Sequence, residues 1–193
     1  YFNGKKMEVM VDFPLSNVSA NHEWATNTDW ISSTANGQVQ FDLENPDVQA
    51  ALKNALVEFI STYDFGGVRL TNIAGASEAF LNELIAAIKN VDDTIYVIAN
   101  GESNANFDAD FHEDTHMLFK EAFKDVDLST EAVTKYVDSS DKPSQLFMDS
   151  IWTNRFTYDV METGNEYPPN RLPLAYAATL LLPGVAVTQY GTE

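Results

Sequence analysis

A chain of 193 residues, 45% of them hydrophobic and 12% aromatic, has enough apolar material for one sizeable core. It contains no cysteine, which excludes disulfides, thiolate metal sites and a cysteine nucleophile. Its formal charge of −18 repels phosphate backbones and anionic lipid, so nucleic acid and membrane surfaces are not expected as partners.

No run approaches the ~20 apolar residues that a membrane span needs. The opening segment YFNGKKMEV lacks the apolar stretch of a signal peptide and says nothing direct about export. Absence of cysteine suits an exported or cell-surface bacterial protein, and many cytosolic proteins share it.

Along the chain, apolar β-rich runs alternate with amphipathic helical segments. Met7–Asp12 reads as a strand ending in a carboxylate. Ser16–Gln38, rich in Asn, Ser and Thr and carrying Trp24 and Trp30, reads as a long loop. Its tryptophans have the option of stacking on a ligand, but lone loop tryptophans more often pin a loop to the core. Asn45-Pro46-Asp47 is a helix start, with a cap, a residue preset for the first turn and a charge matching the dipole. The helix carries a stripe of Val48, Leu52, Leu56, Phe59, Ile60 and Tyr63, and Gly66-Gly67 stops it. Gly67–Leu70 is a short strand running into Thr71 and Asn72.

Ser77 caps a second helix with the stripe Phe80, Leu81, Leu84, Ile85 and Ile88. Thr94–Ala99 is a strand of the kind buried on both faces, followed by Asn100-Gly101-Glu102. Beyond it come a weak strand near Ala109–Glu113, helical stretches around His116–Phe123 and Thr130–Val137, and a strand Gln145–Asp149. An apolar helix Pro173–Leu182 and a strand Val185–Tyr190 complete the order. Alternating strands and helices imply an α/β fold with a parallel sheet, and polar residues just after strand ends mark where such folds hold their sites. No repeat or linker divides the chain, so a single domain over residues 1–193 is expected. His112-Glu113-Asp114-Thr115-His116 has the spacing of a zinc motif but no evident third His or Cys. No metal and no cofactor is expected.

The order of segments resembles the α-amylase superfamily, glycoside hydrolase family thirteen, from the third barrel strand to the eighth. Met7–Trp24, MEVMVDFPLSNVSANHEW, is similar to the first family signature, and Phe41–Val48, FDLENPDV, to the stretch leading into the next helix. FGGVRLT (Phe65–Thr71) resembles the nucleophile strand, and YVIANGE (Tyr96–Glu102) the strand that delivers Gly-Glu. FMDSIWTNRF (Phe147–Phe156) and LPGVAVTQYGTE (Leu182–Glu193) resemble the last two signatures. Each piece is weak, but six in the right order cover nearly all the chain. The resemblance implies a TIM (β/α) barrel, partial or complete, with parallel strands inside and helices outside. It also implies that the first two strands are missing, and that the usual insertion after the third has shrunk to Ser16–Gln38. A barrel left open has unpaired edges through which a chain self-associates.

Retaining glycoside hydrolysis uses two carboxyl groups about 5–5.5 Å apart, one nucleophile and one acid/base. Carried over residue by residue, the resemblance retains Arg69 but puts Thr71 at the nucleophile and Trp152 at the third acid. The family's Asn-His becomes Ser16-Asn17, losing a sugar-binding imidazole and a usual calcium ligand. Glu102 alone stands at the general acid. The resemblance thus points to a degenerate domain that binds an oligosaccharide or α-glucan, or serves as a scaffold, without cleaving it. Candidate substrate-binding residues are Asp12, Asn17, Arg69, Thr71, Asp149 and Trp152, with Glu102 the candidate catalytic acid. Plainer readings stand beside these. Arg69 pairs with Asp12 to join strand ends, Glu102 is a solvated loop residue, and Trp152 belongs to the core. Two other functions stay open, an active glycosidase or transglycosylase using Glu102 with a displaced Asp12 or Asp149, and a purely structural interaction module.

Overall fold

The computed structural model describes residues 9–111, 117, 121–123, 143–150, 153–162 and 171–189. Trp152, the His112–His116 motif and the expected helix Thr130–Val137 lie outside these. The chain divides into two compact units, Tyr1–Asp108 and Ala109–Glu193.

In the first unit a parallel three-stranded sheet is flanked by two helices. Strand β1 (Met10–Pro14) pairs with β5 (Gly67–Thr71), which pairs in turn with β6 (Tyr96–Ala99). The central strand β5 buries Val68, Leu70 and Thr71, as expected of a strand covered on both faces. Gly67 permits a close approach, since a Cβ there would lie 3.1 Å from the Tyr96 carbonyl oxygen. β1 ends later than expected, so Asp12 sits in mid-strand rather than at its end, and the expected start at Met7-Glu8 lies outside the described residues. The strand continues because Phe13 and Pro14 stay in register with Leu70 and Thr71.

Parallel strands need long crossovers, and helices supply them. Helix α1 (Pro46–Thr62) is capped by Asn45, whose Oδ1 accepts the Asp47 N–H at 2.9 Å. It buries Val48, Leu52, Leu56 and Ile60. Phe59 is only half-buried and Tyr63 is exposed, because the two rings stack on each other and on Phe65 beyond the last turn. The helix ends at Thr62, before the expected glycine stop. Helix α2 (Glu78–Val91), capped by Ser77, buries all five residues of its expected stripe. These stripes and the sheet form one core with Leu15, Phe41 and Leu43.

The stretch read as a loop is instead a small antiparallel sheet, a correction to the expectation. It comprises β2 (Asn17–Ser19), β3 (Ile31–Ala35) and β4 (Gln38–Phe41), in the order β2-β4-β3. Asn36 and Gly37, with φ of 53° and 75°, turn β3 into β4. Asn-Gly is the pair that a two-residue hairpin with positive φ at both positions demands. β4 alternates, with Val39 and Phe41 buried and Gln38 and Gln40 exposed. Two short 3-10 turns, Glu23–Thr26 and Thr28–Trp30, fill the space between β2 and β3.

The second unit has shorter strands than expected. β7 (Gln145–Leu146) pairs in parallel with β8 (Val185–Ala186), and the described part of the expected strand near Ala109–Glu113 forms a bridge between Asp110 and Ser144. Among the described residues it also carries helices α3 (Phe156–Glu162) and α4 (Arg171–Leu181), with Leu146, Met148, Phe156 and Ala175 in its core. No helix among the described residues is long and apolar enough to cross a membrane.

Candidate functional site

Because β1, β5 and β6 are parallel, their carboxyl ends share one rim of the first unit, where α/β folds gather their site residues. The ladder runs on past the strands, with Leu15 N–H donating to the Thr71 carbonyl (3.0 Å) and Asn100 N–H to that of Leu70 (2.9 Å). The segments after the three strands carry Ser16 and Asn17, Asn72, and Glu102.

Thr71 closes β5 and is buried, 8% exposed as a residue. Asn72 follows in the left-handed region, φ 53°, which Asn tolerates better than most residues. Its Nδ2 donates to Asn17 Oδ1, and Asn17 Nδ2 donates to Gln38 Oε1 at 3.2 Å. Glu102 is exposed. Gly101 before it has φ 145°, and a Cβ there would lie 3.3 Å from Ile73. Glycine is therefore the residue that lets the chain turn as it leaves β6.

Arg69 lies one pleat below the rim. Its Nε and Nη2 donate to Asp12 Oδ1 and Oδ2 at 2.7 and 2.6 Å, a two-point pair between register partners on β1 and β5. In the second unit Asp149 is 5% exposed. Its Oδ1 accepts the Phe156 N–H (2.6 Å), and its Oδ2 faces Arg155 Nη1 at 3.4 Å. That carboxylate fastens the start of α3.

A cleft of about 230 Å³ opens beside this rim. Asn17, Ser33, Gln38, Gln40 and Asn72 line it, and none of its lining residues is ionisable. Of these only Asn17 is a residue singled out from the sequence. The Asn36-Gly37 pair and the Gln-Val-Gln-Phe alternation after it are the signals that would have revealed Ser33, Gln38 and Gln40. Trp24 packs edge-to-face on Trp30 (5.7 Å between ring centres) and against Phe41 at 5.9 Å, and both tryptophans rest on the core. They hold the small sheet down. Among the described residues no group of His, Cys, Asp and Glu is arranged to hold a metal ion.

Solved structures with the same chain course decide the fold. The α-amylase of Geobacillus thermoleovorans, in complex with acarbose, superposes with a TM-score of 0.88 at 22% identity, over 99% of this chain and 51% of that one. An Anoxybacillus α-amylase gives 0.88 at 20% identity, over 98% and 50%. The cyclic α-maltosyl-(1→6)-maltose hydrolase of Arthrobacter globiformis, with that sugar bound, gives 0.81 at 17% identity, over 99% and 51%. The fold is that of the α-amylase superfamily. The parallel strands and helices described above belong to an α/β barrel of that type. This chain spans about half the length of the α-amylase structures it matches. No family model matches it, and no curated protein does.

Within the α-amylase-type barrel the described rim carries the exposed residue Glu102 and the buried residue Thr71. Asp12 and Asp149, also named from the sequence, pair within the protein. Asp12 holds Arg69, and Asp149 holds a backbone N–H.

Proposed function

We propose that this chain is a catalytically impaired α-amylase-like domain that holds an α-glucan-type carbohydrate. The observation that supports this is Thr71. At the end of β5, where the resemblance expects the nucleophile, stands a buried threonine, whose hydroxyl is neutral. A carboxylate there would trap the sugar cation as a covalent intermediate, whereas an unactivated hydroxyl carries no charge to meet it. Removing a nucleophile costs on the order of 10⁴–10⁶ in turnover, judged from another hydrolase class. Glu102 has the chemistry to protonate a leaving oxygen, but an acid without a nucleophile partner does not complete retaining hydrolysis.

Partners already made by Asp12 and Asp149 weigh against either as a displaced nucleophile. Ligands in the similar structures, acarbose and cyclic α-maltosyl-(1→6)-maltose, support an α-glucan-type ligand class.

Two measurements on the intact chain test the reading. Incubation with maltooligosaccharides should release no reducing ends above background, and calorimetric titration with maltotriose should give a saturable heat. Turnover at ordinary glycosidase rates that disappears in Glu102→Gln would overturn it.

A further inference from the structure

We infer that α4 of one copy of this chain docks its leucine face into the groove between α1 and α2 of a second copy. This contact is independent of the carbohydrate reading.

A helix at the surface of a soluble protein turns a polar face to water, and one that is apolar all round is covered. α4 has no polar outer face. Ala175 and Thr179, one turn apart on the same side, are buried. Away from them Leu174, Leu180 and Leu181 are 51%, 55% and 83% exposed. The polar residues of α4 are already engaged. The Thr179 hydroxyl donates to the Ala175 carbonyl, the Tyr176 hydroxyl bonds that of Thr188, and Arg171 donates to the Phe123 carbonyl. Leu174 and Leu181 share a face two turns apart, about 10 Å along the axis.

The groove between α1 and α2 is the matching hole. Its volume is about 450 Å³, and Val57, Ala86, Ala87 and Val91 supply its apolar lining. Ala86 and Val91 are exposed, and Val57 and Ala87 are half-buried. Small side chains at Ala86 and Ala87 leave a hollow for large ones, as knobs enter holes between packed helices. From Glu83 to Val91 the lined stretch of α2 runs about 12 Å, enough for two leucines two turns apart.

Charge favours a second copy as the occupant. With 29 acidic and 11 basic residues, two copies repel over most of their surfaces. These two faces are exceptions. α4 contains Arg171 and no acidic residue, and the charged residues lining the groove, Lys53 and Glu83, form an ion pair with each other. Joining the faces buries leucine without stacking net negative charge. Because the two surfaces differ, the contact is of the head-to-tail kind.

Sedimentation velocity of the intact chain over a concentration series, with salt added to screen bulk repulsion, tests the contact. Association that grows with concentration is expected. Leu174→Glu with Leu181→Glu removes the knobs, and Ala86→Glu blocks the hole. All three positions are exposed, and the melting temperature checks that each variant folds. Each variant alone should associate at least about tenfold more weakly. Mixed in equal amounts, the two variants should recover a dimer, because one keeps the groove and the other keeps α4. A wild-type chain that stays monomeric throughout overturns the contact. So does association that persists in either variant. A mixture that stays monomeric where the wild type associates overturns it too, since the interface would then lie elsewhere.

Discussion

Asp12 and Arg69 face each other as register partners on β1 and β5, and their side chains lock into a two-point ion pair. The Arg69 side chain is 20% exposed and that of Asp12 50%. Water therefore screens much of the attraction, and a value of about 1 kcal/mol is expected for a well-formed pair at such a site. Arg69→Met should lower Tm by roughly 2–4 °C, measured by thermal denaturation. Should Arg69 instead grip ligand, Arg69→Met would leave Tm unchanged and abolish maltotriose binding.

Asn45 joins two parts of the first unit. Its Oδ1 caps α1, and its Nδ2 donates to the Asp29 carbonyl in the segment before β3, at 3.1 Å. Asn45→Ala should cost about 1 kcal/mol from the cap alone. Asn45→Asp keeps the cap acceptor and loses the donor, so it should cost less. Urea denaturation of the two variants separates the contributions.

Stability should bend at both ends of the pH scale. Burial pushes the Tyr96 phenol above its ordinary value of 10.0, and the negative charge of Asp108 adds to this. Between pH 10 and the raised native value, the unfolded chain has lost a proton that the native chain keeps. That contribution is therefore complete below pH 10 and disappears as pH climbs through the native value, a slope that Tyr96→Phe should flatten. Asp92 has the opposite sign. Hydrogen bonds from the Thr94 hydroxyl and N–H hold its carboxyl below the ordinary 3.8. The stability it gives is present above that value and lost as pH falls through the lowered native one. Thr94→Val should shrink the acid slope, read from denaturation midpoints across a pH series.

Asp149 is best distinguished by a pair of substitutions. Asp149→Asn leaves an oxygen to accept the Phe156 N–H, whereas Asp149→Ala strands it. The alanine variant should lose about 1–3 kcal/mol more than the asparagine one, measured by chemical denaturation. Were Asp149 a reacting acid, Asp149→Asn would erase any turnover while leaving stability alone.

How much of this was legible in the sequence depends on how each element is buried. Helix α2 reads directly, because a serine cap and five apolar residues at helical spacing all meet the core. Strands β5 and β6 read well for the same reason, being nearly all apolar and covered. The small sheet does not read from periodicity. Only Ile31 of β3 is even half-buried, and β4 buries just Val39 and Phe41. With most of its residues in water, its local mark is the Asn36-Gly37 turn. At the site, Thr71, Glu102 and Asn17 were singled out through the resemblance to the family's signatures. Ser33, Gln38 and Gln40 were not, because neutral amides and hydroxyls on an exposed hairpin carry no pattern until the backbone gathers them. β7 and β8 came out shorter than the apolar runs around them, since only two residues of each pair in register.

One oxygen near the end of the first unit has a practical meaning. Asp108 Oδ2 receives both Lys89 Nζ, at 2.8 Å, and the Val97 N–H, at 2.7 Å, while the Asp108 N–H returns to the Val97 carbonyl at 2.8 Å. Every one of these bonds is made to residues earlier in the chain. A shortened polypeptide that stops just after Asp108 would therefore lose none of these bonds' partners.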